Sequence, residues 1–297
     1  MRWQGNRESD NVEDVRGEGS DDGRTGLPLG GGGLGIGGIA VALVASYFLG
    51  INPMTMLNLL GGASGNHASV PAPHASARTN PPANDEQTRF VRTVLADTED
   101  VWKDVFQQAG GQYRDPKLVL FRGSVPTACG RGQAATGPFY CPGDQKVYID
   151  LGFYDILRTR LGAPGDFAQA YVIAHEVGHH VQNLMGTSAK LDAMRPRLSQ
   201  TQYNAMSVRL ELQADCYAGV WANHAQQARQ IIEAGDVDEA LNAASQIGDD
   251  TLQRNASGHV SPESFTHGTS QQRVHWFKLG MDSGDIRQCN TFDKNAL

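Results

Sequence analysis

Apolar residues in the second half of the chain recur at spacings of three and four positions, the period of one face of an α-helix. This pattern predicts helices over 85–109, 166–186, 203–217, 237–247 and 270–280. Two shorter apolar runs have the length and composition of strands, namely KLVLF (117–121) and KVYIDL (146–151). The sequence therefore predicts an α+β fold with a small sheet and a largely helical C-terminal half.

Residues that favour helix ends support two of these helices. Asp166 followed by Gln169 has the form of a capping box, in which two side chains three positions apart bond to each other's backbone N–H. Ser199 and Gln202 have the same form ahead of the next helix. Gly186 stands where a helix commonly stops.

The N-terminal third has a different pattern, with no Lys, Arg, Asp or Glu between Thr25 and Ala77. Within it, the stretch 29–51 is nearly all apolar or glycine, and about 20 such residues match the thickness of a bilayer core. The sequence thus predicts a transmembrane helix at 29–51. Gly31 and Gly35 fit the G-x-x-x-G pattern of self-associating membrane helices. A cleaved signal peptide is the competing interpretation, which the long acidic leader disfavours.

The segments on either side of this stretch are polar. Residues 1–28 are rich in Gly, Asp, Glu and Arg, which predicts a disordered cytoplasmic tail. Residues 52–83 have the composition of a linker, and 84–297 suffice for one domain with a single core. More arginines precede the span than follow it closely, so the positive-inside rule predicts a cytoplasmic N-terminus and an extracytoplasmic domain. The arginines compared are Arg2, Arg7, Arg16 and Arg24 against Arg78 and Arg89.

One predicted helix carries the most informative motif of the chain. Residues 171–186 read YVIAHEVGHHVQNLMG, in which His175 and His179 are four positions apart. Residues at this spacing lie on one face of a helix, so both imidazoles can reach one metal ion. Glu176 points about 100° away from His175, where a carboxylate can act as a general base. The motif predicts a hydrolytic zinc site, and His180 is expected to pack or face water.

Two histidines do not complete a catalytic zinc site, which uses three protein ligands. The segment RLELQADCYAG offers Glu211 and Asp215, which are four apart and share a helix face. Glu211 is the predicted third ligand. Asp215 is predicted to accept a hydrogen bond from a ligating imidazole, because metal-bound histidines usually donate their second N–H to a carboxylate or carbonyl. The competing interpretation is two solvated acids on an amphipathic helix.

The chain contains four cysteines, Cys129, Cys141, Cys216 and Cys289. An even count in an exported domain predicts two disulfides, for which three connectivities exist. Cys129–Cys141 is the preferred pair because it closes a short Gly-rich loop, and Cys216–Cys289 would then tie the Glu211 helix to the C-terminus. Four buried thiols in a cytosolic protein are the competing interpretation.

The motif HEVGHH followed by ELQAD in a later helix resembles the zincin metallopeptidases whose third ligand is a glutamate, the gluzincins. More closely, the chain resembles a bacterial family of membrane-anchored neutral zinc metallopeptidases. The resemblance covers most of the chain and is weakest between 52 and 84. It shows no departure at His175, Glu176, His179 or Glu211. Further similar segments are ACGRGQAATGPFYCPGDQKVYIDLGFY (128–154), LQADCYAGVWANH (212–224) and HGTSQQRVHWFKLG (267–280).

This resemblance implies a zincin-like domain, with its active-site helix beside a small sheet, anchored in the bacterial inner membrane. It also implies Zn²⁺ as cofactor, a polypeptide substrate and Glu176 as general base. For the group that stabilises the oxyanion, His267 is the first candidate, because it opens one of the similar segments, and Tyr148 and Tyr171 are weaker ones. KVYIDL (146–151) is the candidate strand for pairing with an extended substrate.

A net charge of −7 and a pI near 5.7 argue against nucleic acid as a main partner, since phosphate binding favours a basic patch. Zinc-dependent peptide hydrolysis outside the cytoplasm is the predicted function. One alternative is a zincin-like domain that binds and scaffolds envelope proteins without turnover, which would not need Glu176. Another is zinc-dependent hydrolysis of a non-peptide amide, which would use the same residues.

Overall fold

In a computed structural model of the chain, the described residues are 1–17, 85–133, 137–294 and 296. These residues form an α+β fold with eight α-helices, a four-stranded sheet and a two-stranded sheet. The helices are α1 (Glu86–Gln108), α2 (Gly152–Thr159), α3 (Asp166–Leu184), α4 (Thr187–Met194), α5 (Gln200–Arg229), α6 (Asp236–Gln246), α7 (Asp249–Ser257) and α8 (Ser270–Ser283). The strands are β1 (Val12–Asp14), β2 (Lys117–Phe121), β3 (Ser124–Thr127), β4 (Gly130–Gln133), β5 (Phe139–Cys141) and β6 (Lys146–Asp150).

The larger sheet has the strand order β1-β2-β6-β5. β2 pairs in parallel with β1 and β6, whereas β5 pairs antiparallel with β6. Successive side chains of a strand point to opposite faces. Leu118 and Leu120 of β2 accordingly join the main core with the helices, while Val119 and Phe121 belong to a smaller cluster on the other face. Both predicted strands are confirmed, as β2 and β6.

The helix predicted over 85–109 is confirmed as α1. Its N-cap is Asp85, whose side chain accepts a hydrogen bond from the backbone N–H of Thr88 at 2.7 Å. The capping box predicted for Ser199 and Gln202 is also confirmed, since both of its reciprocal bonds are present at the start of α5. For α5 the short-range signal was sufficient to predict the start of the helix, because the cap satisfies N–H groups of its own helix.

The capping box predicted at Asp166 and Gln169 is wrong. The N-cap of α3 is Gly165, and Asp166 lies in the first turn, where a negative charge interacts favourably with the helix dipole. The Asp166 carboxylate instead accepts a hydrogen bond from the amine of Met1 at 2.7 Å. At the other end, Gly186 directly follows the C-cap with a positive φ of 76°, as the stop signal predicts.

Two glycines allow α5 and α8 to pack closely. A Cβ atom on Gly219 of α5 would collide with backbone atoms of Phe277 and Met281, and one on Gly280 of α8 would collide with the backbone of Cys216. Helices can approach this closely only where one surface lacks side chains. Near the start of α8, Nη2 of Arg273 lies 3.4 Å from Nδ1 of His175 in α3.

Both disulfides have the preferred connectivity. Cys129–Cys141 joins the turn between β3 and β4 to the end of β5, and Cys216–Cys289 joins α5 to the C-terminal segment. The prediction of two disulfides is confirmed, and the alternative of four free thiols is wrong.

The prediction of a disordered tail over 1–28 is wrong for residues 1–17, which are folded against the rest of the domain. β1 adds to the sheet beside β2. Trp3 is buried and packs edge-to-face on Phe90 of α1, with the ring centroids 5.5 Å apart. Composition was misleading here because the segment has few large apolar residues, yet those few are buried and its polar groups bond to the domain.

The predicted transmembrane helix at 29–51 and the predicted linker at 52–83 lie outside the described residues. None of the helices within 1–17, 85–133 and 137–294 has both the length and the apolar character needed to span a bilayer.

Candidate metal centre

Helix α3 carries the histidine motif on a buried surface. An apolar stripe of Ala170, Ala174, Val177 and Val181 is fully buried in the core, which fixes the rotation of the helix. Gly178 lets α5 approach, because a Cβ there would lie 3.0 Å from the carbonyl oxygen of Ala214. The two histidines of the motif therefore face α5.

Three potential ligand atoms from α3 and α5 converge. The Nε2 atom of His175 lies 3.2 Å from Oε2 of Glu211, and the Nε2 atom of His179 lies 3.5 Å from the same oxygen. Ligand atoms held at about 2.1 Å from a tetrahedral zinc ion are roughly 3.4 Å apart. Two imidazoles and a carboxylate are also a donor set that zinc uses in catalytic sites. The three side chains therefore fit a zinc ion, as the sequence predicts for His175, His179 and Glu211.

The second nitrogen of each imidazole is already bonded. Nδ1 of His175 contacts Oδ1 of Asp215 at 2.8 Å, as predicted, and Nδ1 of His179 contacts Oε1 of Gln182 at 2.9 Å. Gln182 is held in turn by the carbonyl oxygen of Leu210, to which its Nε2 donates at 2.6 Å. Because these partners are acceptors, they favour a proton on each Nδ1 and leave each Nε2 lone pair for a metal.

Asp215 is fully buried and accepts hydrogen bonds from three side chains. Its Oδ1 accepts from the Tyr171 hydroxyl at 2.6 Å and from Nη2 of Arg273 at 2.9 Å, besides His175, and its Oδ2 accepts from Nε of Arg273 at 2.8 Å. Burial alone would raise the pKa of the Asp215 carboxyl, but Arg273 and His175 outweigh it and lower the pKa to about 2. Arg273 of α8 therefore holds a buried carboxylate in place behind the His175 ring.

Nearby carboxylates have the largest net effect on the pKa values of the two histidines. Burial lowers the pKa of His175, but the charge of Asp215 and the hydrogen bonds to Asp215 and Glu211 outweigh it and raise the pKa to about 10. Burial would raise the pKa of Glu211, yet the neighbouring histidines hold it well below its usual range. The centre therefore attracts a cation, whether a proton or a metal ion.

A cavity of about 470 Å³ opens beside the three ligands. Glu176 lines it and is 7% exposed, and burial raises the pKa of its carboxyl. His267 lines the same cavity from the loop before α8, with its Nδ1 3.2 Å from Oδ1 of Asp249. The apolar part of the wall consists mainly of Phe153, Val172, Leu191, Leu210, Ile247 and Leu252. The cavity thus combines ionisable groups near the ligands with an apolar surface.

The two tyrosines named as weaker oxyanion candidates are already bonded elsewhere. The Tyr171 hydroxyl donates to Asp215. The Tyr148 hydroxyl donates to Asp144 at 2.8 Å, and Tyr148 belongs to the smaller cluster on the sheet face away from the main core. Tyr148 is not among the residues that line the cavity. His180 is fully buried between the Tyr140 hydroxyl and the carbonyl oxygen of Arg114. Its predicted packing role is confirmed.

The prediction that the strand KVYIDL pairs with substrate is wrong, because this strand is not at an edge of the sheet. As β6 it has β2 on one side and β5 on the other. β5 is the edge strand on the cavity side, and Phe139 and Tyr140 line the cavity. Three residues in a Gly-rich loop gave too weak a pattern to predict this strand. Its last residue, Cys141, is joined by a disulfide to Cys129 in the turn between β3 and β4.

A second acidic cluster, Asp166, Asp236 and Glu239, has ligand-like spacing. The amine of Met1 lies 2.7 Å from Asp166 and 3.3 Å from Asp236. This cluster therefore already has a cationic partner from the chain itself.

The chain matches the family model described as "Putative neutral zinc metallopeptidase" over residues 1–292. It is 52% identical to the uncharacterized protein YpfJ of Escherichia coli K12 over 99% of this chain and 100% of that protein. It is 38% identical to the uncharacterized protein Rv2575 of Mycobacterium tuberculosis H37Rv over 85% of this chain and 86% of that protein. No solved structure gives a significant match. The chain belongs to this family of neutral zinc metallopeptidases, whose description implies zinc.

Proposed function

We propose that this protein is a zinc-dependent peptidase that hydrolyses polypeptides. The observation that carries the proposal is the convergence of His175, His179 and Glu211, with their ligand atoms all within 4.8 Å of one another, at the wall of a cavity. A structural zinc site usually has four protein ligands, whereas a catalytic one has three and remains open to water. Three ligands beside a cavity of substrate size favour the catalytic kind.

The chemistry follows from the groups around the ligands. A bound zinc ion supplies a Lewis acid and lowers the pKa of water to about 7. Glu176 accepts a proton from the attacking water and then delivers it to the nitrogen of the leaving amine, which is general base and general acid catalysis by one carboxylate. Burial favours this role, because it brings the pKa of the Glu176 carboxyl nearer to neutral pH.

The cleft suits an extended peptide with an apolar side chain. β5 is an edge strand, whose free backbone groups can pair with a peptide in the manner of an added strand. Its residues line the cavity together with the apolar wall, which can bury an aliphatic or aromatic side chain. We therefore expect cleavage beside apolar residues.

His267 is proposed to stabilise the oxyanion of the tetrahedral intermediate. Asp249 contacts its Nδ1, which orients the ring. Burial lowers the pKa of His267, but the carboxylates of Glu211 and Asp249 outweigh it and raise the pKa, which favours the imidazolium form, whose Nε2–H can donate to the oxyanion. We expect His267→Gln to lower kcat about 10²- to 10³-fold, the effect of removing one oxyanion donor, with little change in KM or zinc content. His259→Gln, at an exposed histidine outside the cavity, is the matched control. An unchanged kcat in H267Q would remove His267 from the mechanism.

The first test of the proposed function is the zinc content of the full chain and of its Glu211→Ala variant. We expect about one zinc per wild-type chain, and much less in E211A, because only two ligands remain. Glu263→Ala, at an exposed acid away from the centre, should keep its zinc. A wild-type protein that is metal-free after purification without chelators, and that does not take up added zinc, would contradict the proposal.

A further inference from the structure

Residues 1–17 and the domain beginning at Asp85 form one folded body, although residues 18–84 separate them in the chain. The backbone carbonyl of Asn11 accepts a hydrogen bond from the N–H of Leu118, and the N–H of Val15 donates to the carbonyl of Leu120, both at 2.9 Å. These bonds bracket β1 and attach it to β2. The segment is therefore an integral part of the sheet.

The domain depends on this segment to satisfy a buried carboxylate. Glu99 of α1 is 1% exposed. Its Oε1 accepts hydrogen bonds from Ser9 Oγ at 2.5 Å and Asn11 Nδ2 at 2.8 Å, and its Oε2 accepts one from Arg7 Nη2 at 2.9 Å. A buried charge without partners is strongly destabilising. The folded domain therefore requires residues 1–17 to be docked.

The two ends of the intervening stretch also meet. Nη1 of Arg16 lies 3.0 Å from Oδ2 of Asp85, although the two residues are 69 positions apart. The Arg16 side chain is only 3% exposed and also donates to the Thr88 hydroxyl at 2.6 Å. A bilayer core is about 30 Å thick, so this contact cannot form across a membrane.

We propose that residues 1–17 and 85–297 lie on the same side of the membrane. Whatever path residues 18–84 take, any crossings between the two folded parts must come in pairs. This replaces the single-crossing topology predicted from the arginine bias, in which the N-terminus is cytoplasmic and the domain is outside. The two disulfides favour the extracytoplasmic side for both parts, because disulfides persist in oxidising compartments. The proposal does not depend on peptidase activity.

The first test labels single introduced cysteines with a membrane-impermeant maleimide in bacterial cells that express the full chain. Asp10→Cys reports on the N-terminal segment and Lys278→Cys on α8, and both positions are exposed. All four natural cysteines are in disulfides, so the wild-type chain provides the background. Each variant is labelled in cells with a permeable outer envelope but an intact inner membrane, and again after lysis.

We expect both variants to be labelled before lysis. Labelling of both only after lysis would still place the two parts on one side and would assign that side to the cytoplasm. Labelling of K278C before lysis and of D10C only after lysis, or the reverse, would overturn the proposal.

The second test detects the contact itself by zero-length crosslinking of the full chain in membranes. Nζ of Lys146 lies 2.7 Å from Oε2 of Glu13, so a carbodiimide is expected to join them in an amide that mass spectrometry identifies. Lys103 and Asp115, 2.8 Å apart within the domain, are the internal standard. Lys146→Gln should lose only the first crosslink. Formation of the standard without the Glu13–Lys146 crosslink would overturn the proposal.

Discussion

Replacing Glu176 with glutamine is expected to lower peptide hydrolysis by about 10²- to 10⁴-fold, the usual contribution of a general base. Glutamine has the shape of glutamate but cannot accept the proton of the attacking water. Glu176 is adjacent to His175 in sequence but is not one of the three converging ligands. Zinc content and the folded structure should therefore be retained.

The measurement uses a peptide library incubated with wild-type protein and E176Q, with cleavage sites read by mass spectrometry and metal content measured on the same samples. Glu263→Gln, at an exposed position outside the cavity, should behave as wild type. Equal hydrolysis by E176Q would exclude the mechanism. A zinc-loaded wild-type protein that cleaves no member of the library would instead favour the binding and scaffolding alternative.

Replacing Arg273 with methionine is expected to destabilise the protein by about 3–5 kcal/mol, the cost of leaving a buried charge without its partner. The reason is Asp215, which is fully buried and receives two hydrogen bonds from Arg273. Because Asp215 also orients His175, zinc affinity should fall about 10- to 100-fold, as for other outer partners of metal ligands. Denaturant unfolding of the metal-free protein and competition with a chromophoric chelator measure the two effects separately.

Two further variants make this prediction specific. Lys278→Met removes an exposed cation from the same helix and should change neither stability nor zinc affinity. The double variant Asp215→Asn, Arg273→Met should recover part of the lost stability, since a neutral amide costs less to bury than a carboxylate. It should not recover the zinc affinity. If R273M binds zinc as tightly as wild type, Arg273 has no positioning role at the centre.

The residues of the metal centre differ in how well they could be predicted from the sequence. His175 and His179 followed from helix geometry alone, and Glu211 from the need for a third ligand, because each argument concerns one helix or one known coordination number. Arg273 was missed, although it lies in a segment that resembles the family. Its role depends on the packing of α8 against α5, which involves residues 58 positions apart and leaves no local pattern. Gln182, three positions after His179 on the same helix face, could have been found from its spacing.

In the fold, too, elements with local sequence signals were predicted, whereas elements that depend on distant contacts were not. α1 was predicted close to both of its observed ends. The start of α5 was predicted from its capping box, but the helix continues to Arg229, well beyond the predicted end at 217. The short helices α2, α4 and α7 were not predicted, because they are of only eight or nine residues. The N-terminal strand was assigned to a disordered tail because composition measures the average of a segment. Its stability instead depends on a few specific bonds to Glu99 and to β2.

The position of β1 also has a consequence for protein synthesis. Val12 pairs with Leu118, so the first strand to leave the ribosome must wait for its partner until roughly 100 more residues have been made. At about 5–20 residues per second, that delay is on the order of 5 to 20 s. During this interval the nascent chain exposes an unpaired strand and a tryptophan that the native protein buries. The N-terminal segment is thus synthesised first but can dock only after β2 has been made.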